Sequence, residues 1–346
     1  SINRNILAEH LCNEGIRRFP DQIQYYFGNR LENIDFENKI ATFENAQSQI
    51  KQQFDLLIGA DGVFSSTREL IIKQFSDFKC EQNRDDMTFK ICQLGASTKF
   101  ASSAADWGEC FHTWPSTQPV TILAPPNPDG TLTGVLILPQ QGDFTFEKIK
   151  NKEDVESLFF TKFPDVFADK YISDDFVQDL LEQKSSYGGI TTNCSAFHVG
   201  DSVVLIGDAA HSVWASLGQG CNVALESCRI FAEILAQNQD NLQIALSAYT
   251  KARKPDTDAI GRMSEEGFGG NKRAGNALFF TKIIELSLLN KLLPILFKPP
   301  ALFQINLPNV GYATIENQWQ NQQKQLKLIN VVVIVSAIAL LIANNL

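Results

Sequence analysis

Basic runs, closely paired cysteines and long apolar stretches are all scarce in this chain, and each scarcity closes off a class of function. Its 346 residues carry 30 Lys and Arg against 39 Asp and Glu, a formal net charge of -9. Nucleic-acid affinity rests on clustered cationic side chains that release counterions, and no basic run offsets the acidic balance. The seven cysteines (Cys12, Cys80, Cys92, Cys110, Cys194, Cys221 and Cys228) include no C-x-x-C pair. An odd, dispersed set argues against a disulfide frame or a zinc site and reads as reduced thiols in a cytosol-facing protein. The four histidines are scattered too, so a His-based metal site would need partners distant in sequence. Neither an initiator Met nor a signal peptide opens the chain. "SINRNILAEHLCNEG" starts inside an amphipathic helical pattern, as expected for a fragment or a processed product.

What is present is the alternation of an α/β protein, long enough for two or three domains or for one large domain with an insert. Ile2, Ile6, Leu7 and Leu11 fall at helical spacing, with Ser1 or Asn3 as a cap and Gly15 as a stop. "IQYYFGNRLENIDFENKIATFE" alternates as strands around a turn, and "QFDLLIGADG" is a short apolar strand ending in a Gly-flanked acid. A helix is predicted between Asp61 and Phe75. From residue 81 to 197, strand-like runs broken by Pro, Gly, Asn and Asp predict an inserted antiparallel sheet, with "KEDVESLFFTKFPDVFADK" as a helical interruption. "DSVVLIGDAAH" then returns to a buried strand, Ala224 to Asn238 reads as a helix, and Thr250 to Leu293 reads as helical. The resulting division is 1–80 and 198–252 as two parts of one α/β domain, 81–197 as the inserted sheet, 253–327 as C-terminal helices and 328–346 as a candidate membrane anchor. Val331 to Ala343 is apolar except for Ser336. It falls short of the roughly 20 residues of a span, so a packed terminal helix is the alternative. Trp319 and two lysines in the preceding polar run are suited to anchor such a helix at an interface, whereas "ENQWQNQQ" polarity suits a solvated face.

Two stretches carry chemistry. In "LLIGADGVFSSTR", Gly59 and Gly62 flank the turn after a buried strand and let a ligand approach the backbone. Asp61 can then accept a hydroxyl hydrogen bond, and Arg68 can hold the next helix or pair with phosphate. The plainer reading is a surface turn with a capped helix. "VVLIGDAAHSVWASLGQGCNVALESC" repeats the arrangement with Gly207 and Asp208. It then sets Gly218, Gly220 and the amides of Cys221 and Asn222 at a helix start, where the positive helix end suits a phosphate or a carbonyl gaining negative charge. A loop serving only a turn would have to coincide with both strand-Gly-Asp elements. His211 reads as a packing or capping residue before an acid-base catalyst, and Cys221 as a small backbone-contact residue before a reactive thiol.

The pair resembles the DG and GD motifs of the aromatic-ring flavoprotein monooxygenases. "INRNIL", "FHTWP", "ILAPPNPDGTLTGVLILP", "FFTKFPD", "CSAFH" before "VVLIGDAAH", and "NQWQ" before an apolar helix are similar in order and spacing to the kynurenine 3-monooxygenase family across nearly the whole chain. The resemblance implies an FAD-binding fold, truncated at its N-terminus, with an inserted antiparallel substrate domain and C-terminal helices. It implies FAD contacts at Arg4, Leu31, Asp61, Gly62, Asp208, Gly218, Gly220, Cys221 and Asn222, and a substrate-carboxylate contact at Tyr312. It further implies hydroxylation of an aromatic substrate, kynurenine first, with NADPH reducing FAD and O2 activated upon it, and no protein nucleophile. A membrane-associated protein facing the cytosol, with the mitochondrial outer membrane as a candidate location, completes the expectation.

Departures from that pattern open alternatives. No strand-GxGxxG-helix unit occurs in the chain, and "GFGGN" at Gly267 to Asn271 has no strand before it. Ala215, Ser216 and Leu217 stand where the family has Pro-Phe-Phe, and Gly267 aligns with a substrate-contacting asparagine. A flavin hydroxylase for another aromatic acid, and a non-catalytic membrane-tethered paralogue that acts as a binding protein, are therefore the competing expectations.

Overall fold

A computed structural model describes residues 4–94, 112–115, 120–127, 132–163, 174–187, 189–266, 273–307 and 310–343. In chain order its first elements are α1 (Arg4–Arg18), β1 (Arg30–Asp35), β2 (Ile40–Glu44), β3 (Gln49–Gln53), β4 (Leu57–Gly59), α2 (Ser66–Gln74), β5 (Cys80–Arg84) and β6 (Met87–Leu94). Next come β7 (His112–Pro115), β8 (Thr121–Ala124), β9 (Leu132–Pro139), α3 (Lys152–Lys162), α4 (Asp174–Glu182), β10 (Ser186–Tyr187), β11 (Ile190–Cys194), β12 (His198–Val199) and β13 (Val203–Leu205). The remainder is helical: α5 (Asp208–His211), a 3-10 turn (Ala215–Leu217), α6 (Gly220–Gln237), α7 (Leu242–Glu266), α8 (Arg273–Leu292), α9 (Ala301–Gln304) and α10 (Tyr312–Ala343).

The chain forms two compact units, one of residues 1–33, 41–52 and 85–188, the other of residues 34–40, 53–84 and 189–346. The first unit is built on a five-stranded antiparallel sheet in the order β10-β6-β9-β8-β7. Burial alternates residue by residue along β9, the two-residue period of a strand with one face packed. Leu132, Leu136 and Leu138 point from that face into a core completed by Val155, Leu158 and Phe159 of α3 and Val177 and Leu180 of α4. Asn151 starts α3 by accepting the Asp154 amide, so the helical interruption expected inside the sheet forms; its continuation from residue 164 lies outside the described residues.

The second unit holds the short sheet β12-β13-β4, in which β13 and β4 run parallel, and the antiparallel pair β11-β5. Val203, Val204 and Leu205 are fully buried, as strands covered on both faces must be. Their core takes in Ile71 of α2, Phe197, Ala209 and Ala210, Phe231 of α6, and Leu246 and Tyr249 of α7. The helical run expected over 250–293 is two helices, α7 and α8, and α6 begins at Gly220, four residues before the expected Ala224. The inserted antiparallel sheet and the C-terminal helices are as the sequence predicts.

The expected anchor at 328–346 finds no support as a membrane span. Among the described residues no helix is long and apolar enough to cross a membrane. In α10 the residues Tyr312, Ile315, Glu316, Trp319, Gln322 and Leu326 are all buried. Their three- and four-residue spacing is one face of a helix. That face packs in a cluster with Ala259, Ile260 and Met263 of α7 and Ile283 and Leu286 of α8. Trp319 is consumed there and is not an interfacial anchor. The polar run also departs from a solvated face: Gln322 Nε2 donates to the Lys298 carbonyl at 2.8 Å, and Arg262 of α7 holds Glu316 through two bonds of 2.7 Å.

Gly59 ends β4 where a Cβ would lie 2.7 Å from Leu205 Cδ2 and 2.7 Å from Thr67 Cγ2. We therefore expect Gly59→Ala to destabilise the chain by about 1–3 kcal/mol through overpacking. Urea unfolding with a midpoint equal to that of the wild type would contradict this tight strand-helix fit.

Candidate functional site

The site starts from the parallel ladder between β4 and β13, registered Val203 with Leu57, Val204 with Ile58 and Leu205 with Gly59. The Ile206 amide continues it onto the Gly59 carbonyl at 3.0 Å. Parallel strands deliver their carboxyl ends to one edge. The turns Ala60-Asp61-Gly62 and Ile206-Gly207-Asp208 thus emerge side by side, although nearly 150 residues separate them. Gly62 has φ +79° and Gly207 φ +65° with ψ -144°, backbone regions that side chains avoid and glycine adopts freely.

Arg68 ties the two turns together. It is buried, and its guanidinium donates from Nη1 to the Ala209 carbonyl and from Nη2 to the Val63 carbonyl, each at 2.7 Å. Of the two sequence readings for Arg68, the structure realises the positioning role. The Asp61 carboxylate accepts from Ser65 Oγ at 2.5 Å and from the amide and hydroxyl of Thr67 at 2.9 Å each, while Ser65 Oγ accepts from the Arg68 amide at 2.9 Å. Asp61 therefore organises the first turn of α2, the plainer of its readings, while the residue itself stays exposed beside the turn. Asp208 is exposed at the head of the short helix α5.

The third component is the start of α6. Gly218 takes φ +64° after the 3-10 turn, and the 18-residue helix begins two residues later, so the amides of Gly220, Cys221 and Asn222 lie in its first turn. First-turn amides have no intrahelical acceptor and sit at the positive end of the helix dipole. A Cβ on Gly207 would lie 3.4 Å from Ala224 Cβ, so the second turn packs directly on this helix. Cys221 and Asn222 are both exposed.

Sequence reasoning gave Gln219, the residue between the two glycines, no role. It is buried, and its Oε1 accepts from Tyr312 Oη at 3.2 Å and from Asn222 Nδ2 at 3.1 Å, while Nε2 donates to Asn306 Oδ1 at 2.8 Å. Tyr312, the residue matched to a substrate-carboxylate contact, is thus brought to the Gly-Gln-Gly loop, and burial raises its phenol pKa. Only the position of an amide between two glycines hinted at this hub. Arg253, fully buried in α7, was missed as well. It donates to Ser227 Oγ at 2.8 Å and to the Val223 carbonyl at 3.1 Å, and pairs with Glu226 at 2.8 Å. Arg4 and Leu31 belong to the other compact unit, in α1 and β1. Gly267 and the segment Gly267 to Asn271 lie outside the described residues.

His211 packs, as its sequence position suggested. Its ring lies 5.4 Å from that of Phe197 and its Nε2 is 3.0 Å from Ser227 Oγ. Burial, and after it the charge of Arg253, push its pKa from the ordinary 6.5 to about 3. No cluster of three His, Cys, Asp or Glu side chains suited to a metal ion occurs among the described residues.

A Cβ built on Gly62 or Gly218 would meet no described heavy atom within 4 Å, and one on Gly220 only Val213 Cγ2 at 3.9 Å. The backbone of the turns is open to close approach, amide donors lie at a helix start, and an exposed carboxylate stands at the adjoining strand end. Those features fit a large ligand with phosphates and hydroxyls, and they define a dinucleotide-binding α/β protein. Comparison with known proteins makes the class specific. Residues 5–263 match the family described as FAD binding domain. The chain belongs to this FAD-binding family.

Among its relatives, kynurenine 3-monooxygenase of Legionella pneumophila (strain Lens) is 32% identical over 269 residues, covering 78% of this chain and 57% of the relative. Kynurenine 3-monooxygenase of Phaeosphaeria nodorum is 31% identical over 69% of this chain and 49% of its own length. This chain thus spans about half the length of the curated relatives it matches. Solved structures show the same fold. The tetrameric form of 2-methyl-3-hydroxypyridine-5-carboxylic acid oxygenase aligns with a TM-score of 0.57 at 20% identity, covering 79% of this chain and 68% of that one. OxyS anhydrotetracycline hydroxylase from Streptomyces rimosus aligns with a TM-score of 0.57 at 15% identity, covering 82% and 53%.

Arg68→Met keeps much of the bulk but strips the buried Ala209 carbonyl of its charged donor and leaves the half-buried Val63 carbonyl to Gln82 Nε2 alone. We expect a loss of about 2–4 kcal/mol, read by chemical denaturation; a loss below about 0.5 kcal/mol would remove Arg68 as the link between the turns. For His211, the unfolded ring binds a proton below pH 6.5 while the folded ring does so only below about 3. Stability supported by the neutral ring is complete above 6.5 and declines as pH falls through that window. Between pH 7 and pH 5 the wild type should lose roughly 2 kcal/mol that His211→Asn does not lose. Equal pH slopes in the two proteins would contradict the burial of a neutral ring.

Proposed function

We propose that this chain serves as the flavin-binding and substrate-facing part of an FAD-dependent aromatic hydroxylase that uses NAD(P)H and O2, with kynurenine 3-hydroxylation as its reaction. The observation that carries the reading is the emergence of two Gly-acid turns at one sheet edge, beside the start of a long helix. Its substrate rests on the relatives named above and on the order of motifs across the chain.

FAD, when bound, supplies electrons taken from NAD(P)H and activates O2 for insertion into an aromatic ring. The protein's share is orientation and electrostatics. Asp208 would accept hydrogen bonds from hydroxyl groups of the cofactor, and the exposed amides of Gly220, Cys221 and Asn222 would donate to a carbonyl that gains negative charge. Gly62 and Gly218 allow backbone approach without a side chain in the way. Arg4, Leu31 and Asp61 complete the proposed flavin set by the pattern of their motifs. Tyr312 and Gln219 form a polar pair at the loop, and Tyr312 would orient a substrate carboxylate by exchanging that partner.

A second substrate class, an aromatic acid other than kynurenine, is favoured by one feature. The loop residues Ala215, Ser216 and Leu217 replace the larger Pro-Phe-Phe of the family pattern, and Ser216 is tied back to the Ser264 carbonyl at 2.5 Å.

Titration of the purified chain with FAD, followed by flavin fluorescence, tests the cofactor assignment. Asp208→Ala should weaken retention by about 10- to 100-fold, the loss of one charged hydrogen bond. Unchanged affinity would remove Asp208 from the site, and an FAD-indifferent wild type would end the enzyme reading. NADPH oxidation stimulated by kynurenine, and not by other aromatic acids, identifies the substrate; the reverse preference selects the second class.

A further inference from the structure

Six cysteines are free thiols in the described residues, and two of them face each other. Cys80 opens β5 and Cys194 closes β11, and the two are direct partners in that antiparallel ladder. The Ser195 amide donates to the Lys79 carbonyl at 2.7 Å. A bond between the residues flanking the pair makes Cys80 and Cys194 a non-hydrogen-bonded pair, the position at which cross-strand side chains approach most closely. Their sulfurs are 3.5 Å apart. A disulfide bond of about 2.05 Å is reached from there by small side-chain rotations, and the Cα spacing of such a pair, about 4.5 Å, falls within the range that disulfides span. Cys194 is fully buried in the core and Cys80 is partly buried at its edge, so Cys80 is the more accessible of the two to a small oxidant while its partner is shielded.

We propose that Cys80 and Cys194 form a reversible redox-modification site, oxidised by a hydroperoxide to an intrachain disulfide. The Cys80 thiolate attacks one oxygen of hydrogen peroxide, the O–O bond breaks, the departing hydroxide takes up the proton that Cys80 had lost and leaves as water, and Cys80 becomes a sulfenic acid. The Cys194 sulfur then attacks the Cys80 sulfur, its proton leaves with the departing hydroxyl as a second water, and the S–S bond closes. Two thiols are oxidised by two electrons and one hydroperoxide is reduced, so the step balances. The roles follow from the site. The Cys194 S–H donates to the Cys80 sulfur, and this bond, with the nearby charge of Arg68, lowers the Cys80 pKa to about 7, while the Cys194 pKa is raised. Cys80 is therefore the attacking thiolate and Cys194 the resolving thiol.

The pair also has a structural reach. Thr192, two residues before Cys194, accepts or donates at 2.7 Å to Ser212 Oγ, and its amide bonds the Ser212 carbonyl at 3.0 Å just after the second Gly-acid turn. Oxidation would thus fix the strand that supports this turn.

The test treats the purified full chain with hydrogen peroxide, quenches in acid, alkylates remaining thiols and maps peptides without reduction. We expect one peptide linking Cys80 to Cys194, a chain lighter by two hydrogens and recovery of both thiols with dithiothreitol. In Cys194→Ser a sulfenic-acid trap should label Cys80, and in Cys80→Ser the Cys194 thiol should stay unmodified. Oxidation confined to the exposed Cys221 and Cys228, or peroxide consumption at Cys80 that leaves Cys194 alkylatable in the wild type, would overturn the proposal. The wild-type peptide map decides the matter even if a serine variant fails to fold.

Discussion

Backbone hydrogen bonding between β4 and β13, two three-residue strands far apart in the chain, sets the geometry on which the candidate site depends. Because the strands run parallel, the carboxyl ends of both reach one edge, and each ends in a glycine turn carrying an acid. Short ladders are weak alone. This one is reinforced by full burial of β13 and by Arg68, whose guanidinium joins the carbonyls of the two turns. The buried charge costs desolvation, and its good hydrogen-bond geometry offsets that cost. The consequence is a site whose two halves are tied to one another.

The C-terminal helices extend the same logic. Arg253 lies buried between α6 and α7 and pairs with Glu226, while Asp256, three residues on, accepts the Ala313 amide at 2.9 Å and so caps α10. Gly311 precedes that helix where a Cβ would lie 2.9 Å from the Asp256 carboxylate. One turn of α7 therefore fixes both the body of α6 and the start of the helix that brings Tyr312 to Gln219. Polar groups in this region are tied to neighbouring helices, which explains why a run rich in Gln and Asn packs as it does.

Much of this was legible in the sequence. Period-two runs gave the inserted sheet, and the glycine-acid signatures gave both turns, because turn chemistry is local and glycine marks it. The resemblance of motif order supplied the FAD assignment that the family match supports. What failed to show was non-local. Arg68 could be read as a phosphate ligand or as a strut, and only its distant partner Ala209 decides. Gln219 and Arg253 have no local pattern, and Cys80 and Cys194, 114 residues apart, become partners only through strand register. Trp319 was taken as an interfacial residue, whereas the buried stripe of α10 absorbs it into a helix-helix contact that sequence spacing alone does not reveal.

That the two turns and the start of α6 act as one dinucleotide surface is best tested by hydrogen exchange of the chain with and without saturating FAD. The account predicts that amides of residues 59–67 and of residues 206–223 gain protection together and with the same FAD dependence. Protection of one segment alone, or of neither, would contradict it.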